Sequence, residues 1–311
     1  MNLEQAMAGI KIGEPMIYGG LAVFPLIGGN PGKRDYFTLN EAFDRNGIEI
    51  SEVSEGGSVP ELRLKNNLDK DVFAADGEAL LGAKQNRVLN SSIYVKAKSE
   101  IVIPVSCVER GRWGYQSRNF RSSEYSEFLS SRASKMASVA SCLKATGTDR
   151  RSDQGAVWEA MDSRCADFQA HAPTRSMADI YEARREPLEK YLKEFRPQPN
   201  QVGLACAING NTAGIELFED PGVFHQFFDK LVRAYAAEVV FESKIATMVP
   251  DTNALKDLLD RIAESRWDEY PAVGSGKELR TKMGQLNGSA LDVDGRLLHM
   301  AVLRDQGRTR H

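Results

Sequence analysis

Apolar residues recur every second position near both ends of the chain and every three to four positions through its middle. Leu21-Ala22-Val23-Phe24-Pro25-Leu26 predicts a short apolar strand that runs into the loop Gly28–Lys33. Glu61-Leu62-Arg63-Leu64-Lys65 alternates strictly, as a half-buried strand does, and Asn66-Asn67 turns it toward Asp71–Ala75. Ile93 and Val95 mark another strand. Ile101–Val108 is apolar on both faces; Pro104 has no ladder donor and predicts an edge or a bulge there.

From 124 to 195 the period becomes helical. Tyr125, Phe128, Leu129, Arg132, Met136, Val139 and Leu143 make a first stripe, and Val157, Trp158, Met161, Cys165 and Phe168 a second. Met177, Ile180, Tyr181, Leu188, Leu192 and Phe195 make a third, which Pro187 kinks or restarts. Ala145–Asp153, with Gly147, links the first two. Strands then return: 202–208 and 212–218 flank the turn Asn209-Gly210-Asn211. Amphipathic helices are predicted near 221–242 and 251–267, the second capped by Asp251 or Thr252. Asp294-Gly295 joins 291–293 to 296–303 as a hairpin. These patterns predict an α+β fold: one domain over 1–311, with a mixed, largely antiparallel sheet built from N- and C-terminal strands and a helical subdomain inserted at about 120–198.

Composition narrows the function classes. The chain has 311 residues, 42% of them hydrophobic, enough for a large core. Its 40 Lys and Arg against 43 Asp and Glu give a net charge of −3, which provides no global attraction for nucleic acid. No run reaches the roughly 20 apolar residues of a membrane span, and the N-terminus lacks the pattern of a secretory signal. The four cysteines, Cys107, Cys142, Cys165 and Cys206, are far apart and predict free thiols in a cytoplasmic setting rather than a metal site or a disulfide framework. The four histidines are too scattered for a metal cluster. Neither Gly32-Lys33 nor Gly276-Lys277 has the earlier glycine and the following Ser or Thr of a phosphate-binding loop. Dinucleotide fingerprints, nucleophile elbows and paired-histidine zinc motifs are absent as well.

Polar chemistry concentrates in two segments. In Gly77–Arg87, Glu78, Lys84, Gln85, Asn86 and Arg87 lie within ten residues between apolar strands. The cations suit phosphate and the amides a base or ribose; the plain alternative is a polar hairpin satisfied by its own hydrogen bonds. In Pro104–Trp113, Glu109 continues the face of Ile101, Ile103, Val105 and Cys107, so it either emerges into solvent or lines a cleft. Arg110, Arg112 and Trp113 add two cations and a stacking surface. Cys107 has no nearby histidine to activate it and reads as a buried structural thiol. His299, with apolar neighbours on both faces, is a shielded core histidine or a general base. Phe224, Phe227, Phe228 and Leu231 form a core stripe.

The strings GEALLGAKQNRVLNSSIYV and IPVSCVERGRW resemble the signature of a bacterial family, the ARG-and-rhodanese-phosphatase-superfamily-associated protein domain. Further matches are the 214–218 strand, the helix around Lys230 and Tyr235, and the 289–299 hairpin, so the likeness spans nearly the whole chain. The family's name implies a setting in ADP-ribose and NAD metabolism and assigns no catalytic residue or cofactor. On the matched positions, Glu78, Glu109 and His299 are the catalytic candidates. Lys84, Gln85, Asn86, Arg87, Arg112, Trp113, Glu216 and Lys230 are the candidates for binding a ligand. Two readings stay open: a cleft between 77–87 and 104–113 that holds a nucleotide-like anion, with or without hydrolysis, and a non-catalytic module that meets another protein.

Overall fold

The computed structural model describes residues 3–28, 34–168, 174–240 and 251–305. In chain order these form α1 (Leu3–Met7), β1 (Lys11–Ile12), β2 (Met16–Tyr18), β3 (Leu21–Ile27), β4 (Tyr36–Thr38), α2 (Leu39–Asp44), β5 (Ile48–Glu52), β6 (Glu61–Asn66) and β7 (Asp71–Ala74). Then follow β8 (Glu78–Gly82), β9 (Arg87–Leu89), β10 (Ile93–Val95), β11 (Glu100–Cys107), β12 (Phe120–Ser126), α3 (Leu129–Thr146), α4 (Gln154–Phe168), α5 (Met177–Ala183) and α6 (Arg185–Glu194). The chain continues with β13 (Gln201–Ile208), β14 (Asn211–Phe218), α7 (Pro221–Val240), α8 (Thr252–Glu264), β15 (Asp268–Pro271), β16 (Lys277–Met283), β17 (Leu286–Val293) and β18 (Arg296–Arg304). Most of the Gly28–Lys33 loop and the expected end of the 221–242 helix lie outside the described residues.

The fold is α+β with mixed, largely antiparallel sheets, and terminal strands share the largest of them. Its order is β1-β3-β13-β14-β18-β17-β16-β15, with β2 also on β3, so an N-terminal strand pairs directly with the strand that follows the helices. Successive side chains of β3 enter different cores: Leu21 and Val23 pack with α3, α5, α6 and α7, whereas Ala22, Phe24 and Leu26 pack with α1 and α8. Burial on both faces is why this strand lacks polar alternation. A six-stranded sheet, β12-β8-β9-β11-β6-β5, and a three-stranded one, β10-β7-β4, enclose a third core around Leu62, Leu64, Ile103, Val72 and Ile93. The β4–β7 pair is parallel. No helix among the described residues is long and apolar enough to cross a membrane.

One local expectation needs correction. Tyr125 and Phe128 fit the helical period, yet Phe120–Ser126 is strand β12, paired with β8, and the helix begins at Leu129. Both rings stack on Tyr181, an environment that helical spacing mimics without a helix. Pro104 falls where β11 has a ladder neighbour on one side only, so its missing donor lies at a local edge as expected. It sits inside β11 where the strand changes neighbours, β6 through Pro104 and β9 from Val105. Pro187 does restart the third helix, which breaks at Arg184 between α5 and α6. The Asn209-Gly210 and Asp294-Gly295 turns form with positive φ at all four residues, as a two-residue hairpin requires.

The sheets and helices are tied together by charges that water does not reach. Arg132 and Lys135, three apart on α3, point inward. Arg132 forks onto Glu216 of β14, with Nη1–Oε1 at 2.6 Å and Nη2–Oε2 at 3.3 Å, and its Nε lies 3.6 Å from Asp76. Lys135 Nζ is 2.9 Å from Asp76 and 2.7 Å from Glu127, and donates to the Leu89 carbonyl. None of these side chains is more than 3% exposed. Burial alone would raise both Asp76 and Glu216; Lys135 with Arg132 outweighs it at Asp76, and Arg132 with His299 at Glu216, so both carboxyls titrate below their usual range. At Glu127 burial wins over Lys135, and its carboxyl is pushed up toward the protonated form. Two carboxylates thus face two cations, with a third carboxyl whose ionisation burial opposes.

That inequality predicts different costs. Asp76→Asn leaves buried cations short of a counter-charge and should lower unfolding free energy by about 3–5 kcal/mol, the usual cost of breaking a buried pair. Glu127→Gln removes a carboxyl whose ionisation burial already opposes and should cost less. Urea unfolding of both variants checks this; equal losses would contradict the charge balance.

Candidate ligand-binding site

The two polar segments lie side by side because β9 pairs with β11, Arg87 opposite Cys107 and Val88 opposite Ser106. The turn from β8 to β9 is tight. Ala83 adopts φ +42° while fully buried, and at Gly82 (φ +124°) a Cβ would fall 2.5 Å from Ser117 Oγ. After β11 the chain meets a third segment. Glu109 forms an isolated antiparallel bridge with Ser176, and the Gly111 amide donates to the Thr174 carbonyl at 2.8 Å. A Cβ at Gly111 would lie 2.9 Å from Thr174 Cα, so this approach needs glycine.

Between the three segments is a cavity of about 550 Å³ whose walls include Asn86, Glu109, Arg112, Tyr115, Arg121 and Asp179. Glu109 is held on both oxygens: Arg112 Nε donates to Oε1 at 2.9 Å, and Arg112 Nη2 and the Asn86 amide donate to Oε2 at 2.6 and 2.9 Å. Arg112 also donates from Nη1 to the Ala83 carbonyl at 2.6 Å and the Gly114 carbonyl at 3.0 Å, so one guanidinium fixes both the carboxylate and the loop. Asn86 Nδ2 donates to Ser176 Oγ at 3.0 Å. Thr174 reaches two carboxyls, Asp179 Oδ2 at 3.3 Å and Glu109. Burial would raise Glu109, but its hydrogen bonds from Arg112 and Asn86 outweigh this and hold it below the usual range. Burial raises Asp179, Thr174 opposes, and the charge of Glu109 adds to the rise. Arg121 is exposed and has no partner among the described residues; Tyr115 is 56% exposed.

The remaining sequence candidates fall into three other groups. Lys84 does not face the cavity. Its Nζ donates to the Glu55 and Gly56 carbonyls at 2.5 and 2.8 Å, under the rings of Trp113 and Tyr115. Arg87 is fully buried behind Trp113, and Gln85 Oε1 accepts from Arg87 Nη1 and from the Cys107 thiol. The expected phosphate clamp of Lys84 and Arg87 is therefore closed to solvent, and the arginines in the walls of this cavity are Arg112 and Arg121. Burial pushes the Cys107 thiol up, in keeping with an inert core cysteine.

Glu78 and Lys230 pair with each other at 3.1 Å, and Glu78 also accepts from the Ala75 amide at 2.9 Å. Among the described residues Glu78 and Glu109 share no partner. Glu216 and His299 pair at 3.2 Å beside Arg132, and Tyr235 donates to Glu216. Nδ1 of His299 lies 2.8 Å from Ser92 Oγ. Ser92, His299 and Glu216 thus have the spacing of a nucleophile, a base and an orienting carboxylate. They are 3%, 1% and 0% exposed, and Arg132 occupies both Glu216 oxygens. In this arrangement the row is sealed within the core.

Asp179, Arg121, Tyr115 and Ser176 were not legible as site residues. Asp179 and Ser176 belong to the polar side of a helical stripe that only the fold brings to Glu109. Arg121 and Tyr115 flank a stretch with no clear periodicity.

A mixed α+β chain with a polar, arginine-bearing cavity at the end of one sheet is the class of protein these features define. The chain belongs to the ARG and Rhodanese-Phosphatase-superfamily-associated Protein domain family, whose profile matches residues 9–303. Neither the curated proteins nor the solved structures compared with it give a match.

The buried serine row yields a direct prediction. A fluorophosphonate serine probe should leave Ser92 unlabelled in the native protein, because the hydroxyl is sealed; stoichiometric labelling of Ser92, mapped by mass spectrometry, would contradict that.

Proposed function

We propose that the chain binds a nucleotide-like anionic ligand, of the ADP-ribose or NAD class, in the cavity bounded by Asn86, Glu109, Arg112, Tyr115 and Arg121. The observation that carries this reading is the cavity itself, about 550 Å³. That lies within the roughly 300–1,000 Å³ common for small-molecule sites. Arg121, with no protein partner among the described residues, is available for phosphate, and Arg112 adds positive potential from a fixed position. The exposed Tyr115 ring suits stacking against a base. Asn86, Ser176 and the carboxyls suit ribose hydroxyls and base edges. The mutual pairing of Glu78 with Lys230 and of Glu216 with His299 gives those four residues structural work and leaves the cavity to others. A cytoplasmic setting belongs to the same proposal, in keeping with four free thiols.

Hydrolysis is the second reading, favoured by one contrast. Glu109 is held ionised and Asp179 is pushed toward its protonated form against the same threonine. Carboxyls driven apart in this way are suited to separate acid and base roles.

Arg121→Glu should weaken ADP-ribose binding at least tenfold by calorimetry, since a charge-assisted hydrogen bond contributes about 1.5–3 kcal/mol. Its melting temperature should hardly move, because an exposed substitution usually changes stability by no more than about 0.5 kcal/mol. Affinity should also rise as pH falls through the raised pKa of Asp179, whose protonation removes a negative charge facing the anion. Unchanged affinity in the variant would remove this cavity from consideration.

A further inference from the structure

We propose that this cavity is one half of a longer groove that takes a two-headed ligand, a dinucleotide or an ADP-ribose-like fragment of one, laid across the ridge formed by residues 115–119. The inference rests on the nucleotide reading above and extends it from a binding site to a ligand length.

A second cavity, of about 770 Å³, lies on the other side of that ridge. Tyr115 is a wall of both. Beyond it the ridge divides: Gln116 belongs to the first cavity, and Ser117, Arg118 and Asn119 belong to the second. Its backbone is pinned from below. The Gln116 amide donates to the Ala83 carbonyl at 2.9 Å, the Ala83 amide donates to Ser117 Oγ at 3.0 Å, and Ser117 Oγ donates to the Asn119 carbonyl at 2.7 Å. Ala83 makes two of these bonds from a left-handed conformation, and its carbonyl also accepts from Arg112. A non-glycine residue held this way is strain that the surroundings must over-determine, and such positions cluster at ligand clamps. The ridge is thus a fixed divider, tied to the same arginine that fixes Glu109.

The chemistry of the two sides differs in the way a two-headed ligand needs. Cations stand on both sides of the ridge: Arg112 and Arg121 in the first cavity, Arg118 in the second. Arg118, like Arg121, is exposed and has no partner among the described residues. Guanidinium groups on both sides of the divider, without partners among the described residues, suit a phosphate linkage that crosses it. The other charged walls of the second cavity are Glu49, Glu52 and Glu55, beside Arg63, which is paired with Glu100. Glu52 is only 8% exposed, and its Oε2 has no hydrogen-bond partner. That oxygen is shut off from solvent, whereas Glu49 and Glu55 are exposed and can accept from ribose hydroxyls. Carboxylates are a poor surface for a terminal phosphate. The second cavity therefore fits the neutral, hydroxyl-bearing head, with the phosphates kept to the ridge. A mononucleotide would fill the first cavity and leave the second empty.

Calorimetry with two probes, AMP and ADP-ribose, tests this on the wild type and on Arg118→Glu and Arg121→Glu. Wild type should bind ADP-ribose at least about tenfold more tightly than AMP, the gain expected from one further charge-assisted contact. Arg118→Glu should remove that advantage and leave AMP affinity within about twofold, whereas Arg121→Glu should weaken both probes. Equal wild-type affinities for AMP and ADP-ribose, or an ADP-ribose affinity untouched by Arg118→Glu, would overturn the two-headed groove while leaving a single nucleotide site intact. Failure of both probes to bind wild type would overturn the nucleotide reading and the groove together.

Discussion

The fork of Arg132 onto Glu216, with Asp76 behind it, is the interaction on which the rest of the architecture depends. It joins helix α3 to the centre of the nine-stranded sheet, and through Asp76 and Lys135 to the approach to β8 and the end of β9. Groups this deep gain their attraction only after losing hydration, so an ion pair of this kind adds little net stability over an apolar core of the same shape. What it adds is register. A slip of β14 by one residue would move Glu216 to the other face of the sheet and strand the guanidinium in a dry interior. The same requirement fixes where β8 starts and where β9 ends, and therefore where the turn at 83–86 between them presents Asn86 and the Ala83 carbonyl.

The Glu109–Arg112 pair applies the same physics nearer the surface, at 5% and 17% side-chain exposure. Partial exposure changes its consequence. The pair still positions a loop, but it also borders open volume, so its charges can act on something other than protein. Polar residues in this chain accordingly divide by what they touch. Those satisfied on all sides, such as Lys84 between two carbonyls or Glu278 between Arg150 and Arg280, hold structure. Arg112 and Glu109 are bonded to each other and to the loop but also border the cavity, beside Arg121, which has no partner among the described residues.

Much of the fold was legible because hydrophobic period reports directly on burial. Both hairpin turns, the restart at Pro187 and the pairing of terminal strands around a helical segment follow from pattern and turn chemistry. Strand β12 was not legible, since aromatic residues that stack on a neighbouring helix can imitate a helical stripe. The charged strand Lys277–Met283 was missed as well: Glu278 and Arg280 are buried against Arg150 and Ser91, and no pattern in the sequence announces an ion network. The site was legible only in part. The adjacency of 77–87 and 104–113 could be expected from two apolar strands with polar ends. Which cations face solvent could not, because Arg87 and Arg121 look alike in sequence, and the pairing of β9 with β11 buries one while the exposed face of β12 leaves the other free. Helix α5, which supplies the third wall, comes from more than sixty residues away in the chain.

The central claim is that ligand chemistry belongs to the cavity at Arg112 and Arg121 and not to the buried row of Ser92, His299 and Glu216. A crystal structure of the protein with ADP-ribose tests it most directly. The account predicts ligand density against Arg121 and Tyr115, with the Glu109–Arg112 pair and the Arg132–Glu216 fork unchanged. Density beside His299, with that fork opened to admit it, would contradict the account.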